Sequence, residues 1–287
     1  MKNLAIAVAA AFIFALGSCA ENVGQAVHYA AKDKDMTASG NIVAKSFAVG
    51  DFEKIRAGGV FKVVYTPAEG KSKVEVRTSD NVMPFVSVGV KDGTLQLRLN
   101  HNGTIKKLKT LEVSVASPSL SGIALSGAAK GEISRPLKAK SFEARLSGAS
   151  RLEADKVQAG NFEARLSGAS KMDVESVKAA SAAVRASGSS NAVMALEGGN
   201  AELRLSGASR AVVEGKAAKA VYTTSGAASV DAAGCVATDV VATASGASTV
   251  KCHATEKLNA KRSGASKISY KGSAKLLGGG GKGIRKL

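Results

Sequence analysis

The chain has 287 residues, room for one large or two modest domains, with no Trp, 4% aromatic residues and 31 Gly. That composition excludes general disorder, because the chain is too apolar. It also excludes an ordinary globular core, because large side chains are scarce, and it favours thin, repetitive packing by small residues. The 40 Lys+Arg against 23 Asp+Glu leave a formal charge of +17, which suits a polyanion or an acidic surface as partner and equally suits a sheet-rich protein kept soluble by its charge.

Residues 1–18 read as an address rather than structure. Lys2 precedes an apolar run from Leu4 to Leu16, too short for a spanning helix but suited to a secretory leader. "LGSC" at Leu16–Cys19 resembles the lipobox of bacterial lipoproteins, in which the cysteine is lipidated and becomes the mature N-terminus. The alternative is an ordinary signal peptide with an incidental cysteine. A lipidated chain sits on a membrane face through its acyl groups, which makes the membrane a partner and the outer membrane, at the cell surface or the periplasmic face, the expected location.

Residues 19–45, small and polar with "KDKD" at Lys32–Asp35, read as a flexible tether. From 46 to 117 the pattern is strand-like: "VFKVVYT", "KVEVRT", "VSVGV", "TLQLRL" and "LEVSVA" alternate apolar and polar residues, with turn residues such as "KDG" between them.

Residues 118–277 then repeat. Ser-Gly pairs begin at Ser126, Ser147, Ser167, Ser187, Ser206, Ser225, Ser245 and Ser263, at steps of 18 to 21 residues, and "FEARLSGAS" occurs twice letter for letter. Apolar columns such as Phe142, Ala144, Leu146 before the pair and Leu152, Met172, Val230, Ile268 after it imply strand, tight bend, strand in each copy. Gly127, Gly148, Gly168, Gly188, Gly207, Gly226, Gly246 and Gly264 are the expected structural turns, taking a positive φ or a close approach to the next coil, with the adjacent serine bonding the turn backbone. One copy cannot bury its apolar face alone, whereas a stack can. The expected fold is all-β, a β-solenoid of about eight coils of ~20 residues behind a strand-rich N-terminal part, ending in a flexible tail at 278–287.

Cys235 and Cys252 lie ten and seven residues past the starts of their Ser-Gly pairs. Out of register by three residues, they are expected to be unpaired.

The order of these features, with "FAVGDFEKIRAGGVFKVVY", "SDNVMPFVSVGVKDGTLQLRL" and "SPSLSGIALSG", resembles the bacterial putative auto-transporter adhesin family with the head GIN domain, common in Bacteroidetes lipoproteins. The resemblance spans roughly residues 46–280. It implies a right-handed β-helix, related in shape to pectin-lyase folds, with no shared catalytic residues and a role in adhesion; it assigns no binding residues.

No motif points to catalysis. His28, His101 and His253 lack partners at metal-ligand spacing, so no metal and no cofactor is expected. "SGAS" is not the G-x-S-x-G elbow, and "GGGGKG" at Gly278–Gly283 lacks the strand-to-helix setting of a phosphate loop. The rows Glu143/Glu163/Glu202 and Arg145/Arg165/Arg185/Arg204 read as solvated, charge-paired ladders. A second basic row, Arg151, Lys171, Arg210 and Lys267, flanks the bends and is the candidate site for an anionic glycan, a solvated face being the alternative. The expected function is a non-enzymatic envelope adhesin or binding module partnered by an anionic glycan or an envelope protein, with no nucleic acid expected. The alternatives are a periplasm-facing structural or envelope-stress component and, behind it, a β-helix enzyme acting on polysaccharide.

Overall fold

The computed structural model describes residues 33–278 and 282–287, strand and turn apart from one 3-10 turn at Met83–Phe85. The leader, Cys19 and His28 lie outside the described residues. Parallel strands stack in register to form a β-solenoid: Phe142 lies opposite Phe162, Arg145 opposite Arg165, and Arg165 opposite Arg185. Along one edge, nine glycines with φ between +65° and +71° form one column. Eight are the expected turns. The ninth, Gly59 in "AGGV", begins the stack one coil earlier than the Ser-Gly count implied, because Gly58 there replaces the serine.

Gly168 shows why the position demands glycine. Its φ is +70°, and a Cβ would stand 2.7 Å from the carbonyl oxygen of Gly148 on the preceding coil. The next residue, Ala169, donates its N–H to that same oxygen at 2.7 Å. Stacking and turn geometry thus meet in one atom.

The serine chemistry differs from the sequence expectation. The serine next to the glycine reaches only the coil below, Ser167 and Ser187 lying 3.4 and 3.5 Å from the Leu146 and Leu166 carbonyls. It is the second serine of "SGAS" that is buried and closes the bend: the hydroxyls of Ser190, Ser209, Ser248 and Ser266 donate to the carbonyls of Ser187, Ser206, Ser245 and Ser263 at 2.7–2.9 Å. In these four coils the hydroxyl folds back inside its own turn onto an acceptor, whereas Ser150 reaches the Leu125 carbonyl of the preceding coil at 3.3 Å and the buried Ser170 hydroxyl has no partner among the described residues.

Each coil also has a third inward-facing stretch that the strand-bend-strand reading missed. In Arg151–Leu166 the alternation breaks where two consecutive residues face out, at Asp155-Lys156 and at Gly160-Asn161. Between those breaks, Val157 and Ala159 turn inward. The coil therefore wraps three sides around a core of small and medium side chains: Phe142, Phe162 and Leu203 on one side, Leu152, Met172 and Val230 on the next, Val157, Val177 and Leu196 on the third.

Both ends differ from the sequence reading. The expected tether is bound from Asp33 onward. The Asp33 and Asp35 carboxylates accept the N–H groups of Asn102 and Thr104 at 2.8 and 3.0 Å, Met36–Thr37 pairs with Ile105–Lys106, and Ile42–Phe47 runs antiparallel to Lys73–Ser79. The acidic residues of "KDKD" supply acceptors that the 101–106 loop otherwise lacks. Lys73–Ser79 in turn pairs with Leu111–Ser117, which covers the open edge of the first coil at Lys62–Pro67, while Thr94–Leu99 covers Lys54–Ala57. The strand-rich part is thus a cap that hides the sheet edge from pairing with other chains. At the other end, Ile284–Lys286 pairs with Ile268–Tyr270, so part of the expected tail is strand.

Both cysteines are free and buried. A bulge between Ala232 and Val236 places Ala232 opposite Cys252 and Val236 opposite His253, so Cys235 sits within the bulge and not three residues down a straight strand. Burial pushes the Cys252 thiol up to about 12 and raises Cys235 as well. With the thiolate as the reactive form, neither should react with iodoacetamide at pH 8 in the folded protein and both should react in denaturant. Mass spectrometry of the alkylated chain reads this, and native labelling of either would contradict the buried arrangement. The Tyr222 hydroxyl, fully buried, finds no oxygen or nitrogen partner among the described residues and has only the Cys235 sulfur, a weak acceptor, beside it. Removing a buried hydroxyl so weakly held spares its desolvation cost at little loss of bonding. Tyr222→Phe should therefore leave the melting temperature unchanged or raise it, and a clear fall would show that the bond to sulfur is strong.

Candidate functional site

Among the described residues no group of His, Cys, Asp and Glu is arranged to hold a metal, and no helix is long and apolar enough to cross a membrane. His253 is half-buried beside the core cysteine, and His101 packs edge-on against Phe85. What the solenoid offers is rows, two of them basic, on either side of the bend.

The row expected from sequence exists. Arg151, Lys171, Arg210 and Lys267 are exposed and share one register column, interrupted by Asn191, Ser229 and Thr249. It also extends backwards through Lys130 to Lys62, so four successive coils carry Lys62, Lys130, Arg151 and Lys171. Lys130 was legible, standing four residues after Ser126 as Arg151 does after Ser147; Lys62 was hidden because its bend has no serine. Carboxylates stand beside it: Glu132 and Glu153 two residues beyond Lys130 and Arg151, and Glu112 directly opposite Lys62. Lys62 pairs with Glu112 at 3.1 Å and Glu132 at 3.7 Å, and Arg151 with Glu153 at 2.5 Å. Much of the row is therefore already neutralised at its N-terminal end.

On the other side of the bend, two residues before the first serine, stand Arg145, Arg165, Arg185 and Arg204 on four successive coils, with Arg56 two coils earlier and Ala124 between. Long arginines beside a row of short serines leave a trough of about 760 Å³ that runs from Arg56 to Ser225. Arginines and serines line it over a floor of Leu125, Leu146, Leu166, Ala186 and Leu205, and no acidic residue is among its lining residues. The carboxylates stand outside. Glu143 takes Arg145 Nε at 2.7 Å, Glu163 takes Arg165 Nε at 2.9 Å and Arg185 Nη1 at 2.6 Å, and Glu202 takes Arg204 Nε. The hydrogen bond from Arg165, helped by the charges of Arg165, Arg185 and Arg145, holds the Glu163 carboxyl below its ordinary value. Sequence reading found this ladder and its charge pairing. It missed the trough and Arg56, because the pairing direction and the floor depend on neighbouring coils.

The sequence matches the model of the family described as putative auto-transporter adhesin, head GIN domain, twice, over residues 51–176 and 164–274. Among functionally curated proteins, none matches it. The solenoid is similar to the crystal structure of a putative adhesin from Parabacteroides distasonis ATCC 8503, 24% identical with a TM-score of 0.67 over 88% of this chain and 99% of that one. It is also similar to a putative adhesin from Parabacteroides merdae ATCC 43184, 21% identical at 0.66 over 89% and 100%. A third similar structure is a putative lipid binding protein from Parabacteroides distasonis ATCC 8503, 20% identical at 0.64 over 88% and 100%. At these identities the likeness speaks for the fold alone, whereas the two family matches together span most of the sequence. The chain belongs to the putative auto-transporter adhesin family with the head GIN domain.

Proposed function

We propose that the chain is a non-enzymatic adhesin of the cell envelope, held to a membrane by lipid on Cys19 and presenting the solenoid as a binding surface. The observation that carries this reading is repetition. The same charged side chains recur in register on successive coils, Arg145 over Arg165 over Arg185 over Arg204. A row of equivalent groups holds an extended ligand at many points, while catalysis needs a few unlike groups converging on one reacting atom. The family membership supports the same reading. The row Arg151, Lys171, Arg210 and Lys267, the sequence's candidate contact for an anionic glycan, is the rival of the arginine-lined trough on the other side of the bend.

Antibodies against the coils should label intact cells, and beads coated with the mature chain should adhere to immobilised polysaccharides without shortening them. Labelling only after permeabilisation would overturn surface display and favour a periplasm-facing structural role. Shortening of the polymer would overturn the non-enzymatic reading.

A further inference from the structure

We propose that the arginine-lined trough is the seat of a linear acidic polysaccharide laid along the coil axis, its carboxylate or sulfate groups taken by guanidinium groups on successive coils. This rests on the adhesin reading and adds the ligand class and its place.

Chemistry supports the choice first. The lining carries five arginines and no acidic residue. Guanidinium forks bind planar or tetrahedral oxyanions through two parallel hydrogen bonds, which lysine cannot do. Glu143, Glu163 and Glu202 brace the arginines from outside the trough, so the forks are partly ordered before a ligand arrives and less side-chain entropy is lost on binding. The exposed hydroxyls of Ser187 and Ser206 border the same trough and suit the hydroxyl groups of a sugar ring.

Spacing supports it next. Coils repeat every ~4.8 Å, and an extended 1,4-linked pyranose advances its chain by about one coil rise. An acid on every sugar, or on every second one, therefore meets an arginine on every coil or every second coil. An extended acidic peptide places same-face side chains ~6.8 Å apart and falls out of step within two coils. Single-stranded nucleic acid binds through aromatic stacking platforms, and no aromatic side chain lines the trough.

The alternative row is less suited. Only one of its four successive cations, Arg151, is an arginine, and between Lys171 and Lys267 only Arg210 interrupts three neutral residues.

The mature chain is titrated with carboxymethylcellulose, cellulose sulfate of matched substitution and neutral hydroxyethylcellulose, all 1,4-linked, at one moderate salt concentration. It should bind at least one of the charged polymers and not the neutral one, and the preferred polymer tells carboxylate from sulfate. Arg165→Gln with Arg185→Gln should lower that affinity by at least about tenfold. Lys171→Gln with Arg210→Gln removes the same charge from the other side of the bend and should lower it less than about threefold, through the general field alone. Affinity should climb with oligomer length until ~30 Å of trough is filled and then level off. All four positions are exposed, so both variants should melt like the parent. Equal losses in the two variants, or a larger loss in the second, would overturn the trough as the site while leaving the adhesin reading in place. Failure of the parent to bind either charged polymer would overturn the ligand class. The adhesin reading would then stand or fall on the intact-cell labelling and bead adhesion.

Discussion

Gly168→Val should cost about 3 kcal/mol or more of stability, through two additive causes. A β-branched residue resists the +70° φ, and its Cβ overlaps the Gly148 carbonyl oxygen at 2.7 Å. That oxygen already accepts the Ala169 N–H at 2.7 Å, so relief of the clash breaks a rung between coils. The two causes can be separated. Gly59 has a φ of +65° but nothing within 4 Å of its would-be Cβ, because no coil precedes it in the bend column. Gly59→Ala should therefore cost only the backbone strain, ~1–2 kcal/mol, while Gly168→Ala should cost visibly more. Because a solenoid couples only neighbouring units, hydrogen exchange in Gly168→Val should quicken around residues 148–188 before it does near residue 250. Equal losses for the two alanine variants in chemical denaturation would show that coil contact adds nothing.

Phe162→Ala should be as damaging, at about 4 kcal/mol. Phe162 is 1% exposed and stacks on Phe142, with ring centroids 6.0 Å apart and 25° between planes. The next coil offers only Ala182 at the same register position, and Ala164 lies alongside in the core. Backbone hydrogen bonds hold the coils at fixed spacing on both sides, so the walls cannot move in to fill the space, and residual cavity volume governs the cost. Phe162→Leu should recover most of the loss. Arg165→Ala, at the exposed position directly after Ala164, should cost far less. An unfolding curve for Phe162→Ala close to that of Arg165→Ala would refute the packed-core description.

Much of this architecture is legible in one dimension. A Ser-Gly pair recurring about every twenty residues, with apolar residues at alternate positions on both sides, leaves a chain of small side chains little choice but to stack copies of itself. Hence the in-register columns at Phe142/Phe162 and at Leu152/Met172/Val230/Ile268 could be written down from spacing alone. The basic row at Arg151 and Lys171 could be placed in the same way, because register in a stack is inherited from the period.

The remainder depends on atoms that spacing does not order. Which serine closes the bend was decided by burial, since only the inward hydroxyl needs a partner from the protein. The third side of the coil was decided by two places where consecutive residues face out, which erase the period-two signal across Asp155-Lys156 and Gly160-Asn161. The N-terminal "KDKD" segment looks unstructured until the 101–106 loop presents N–H groups for its carboxylates to accept. The trough is likewise a property of neighbours: its arginines were visible as a column, but its floor and its acid-free lining arise only when the coils are laid ~4.8 Å apart. Repetition in the sequence determined the stack and its register, because identical units pair best with themselves. Tertiary packing decided where that stack turns, how its ends are closed and which of its two basic rows borders a space that a ligand could enter.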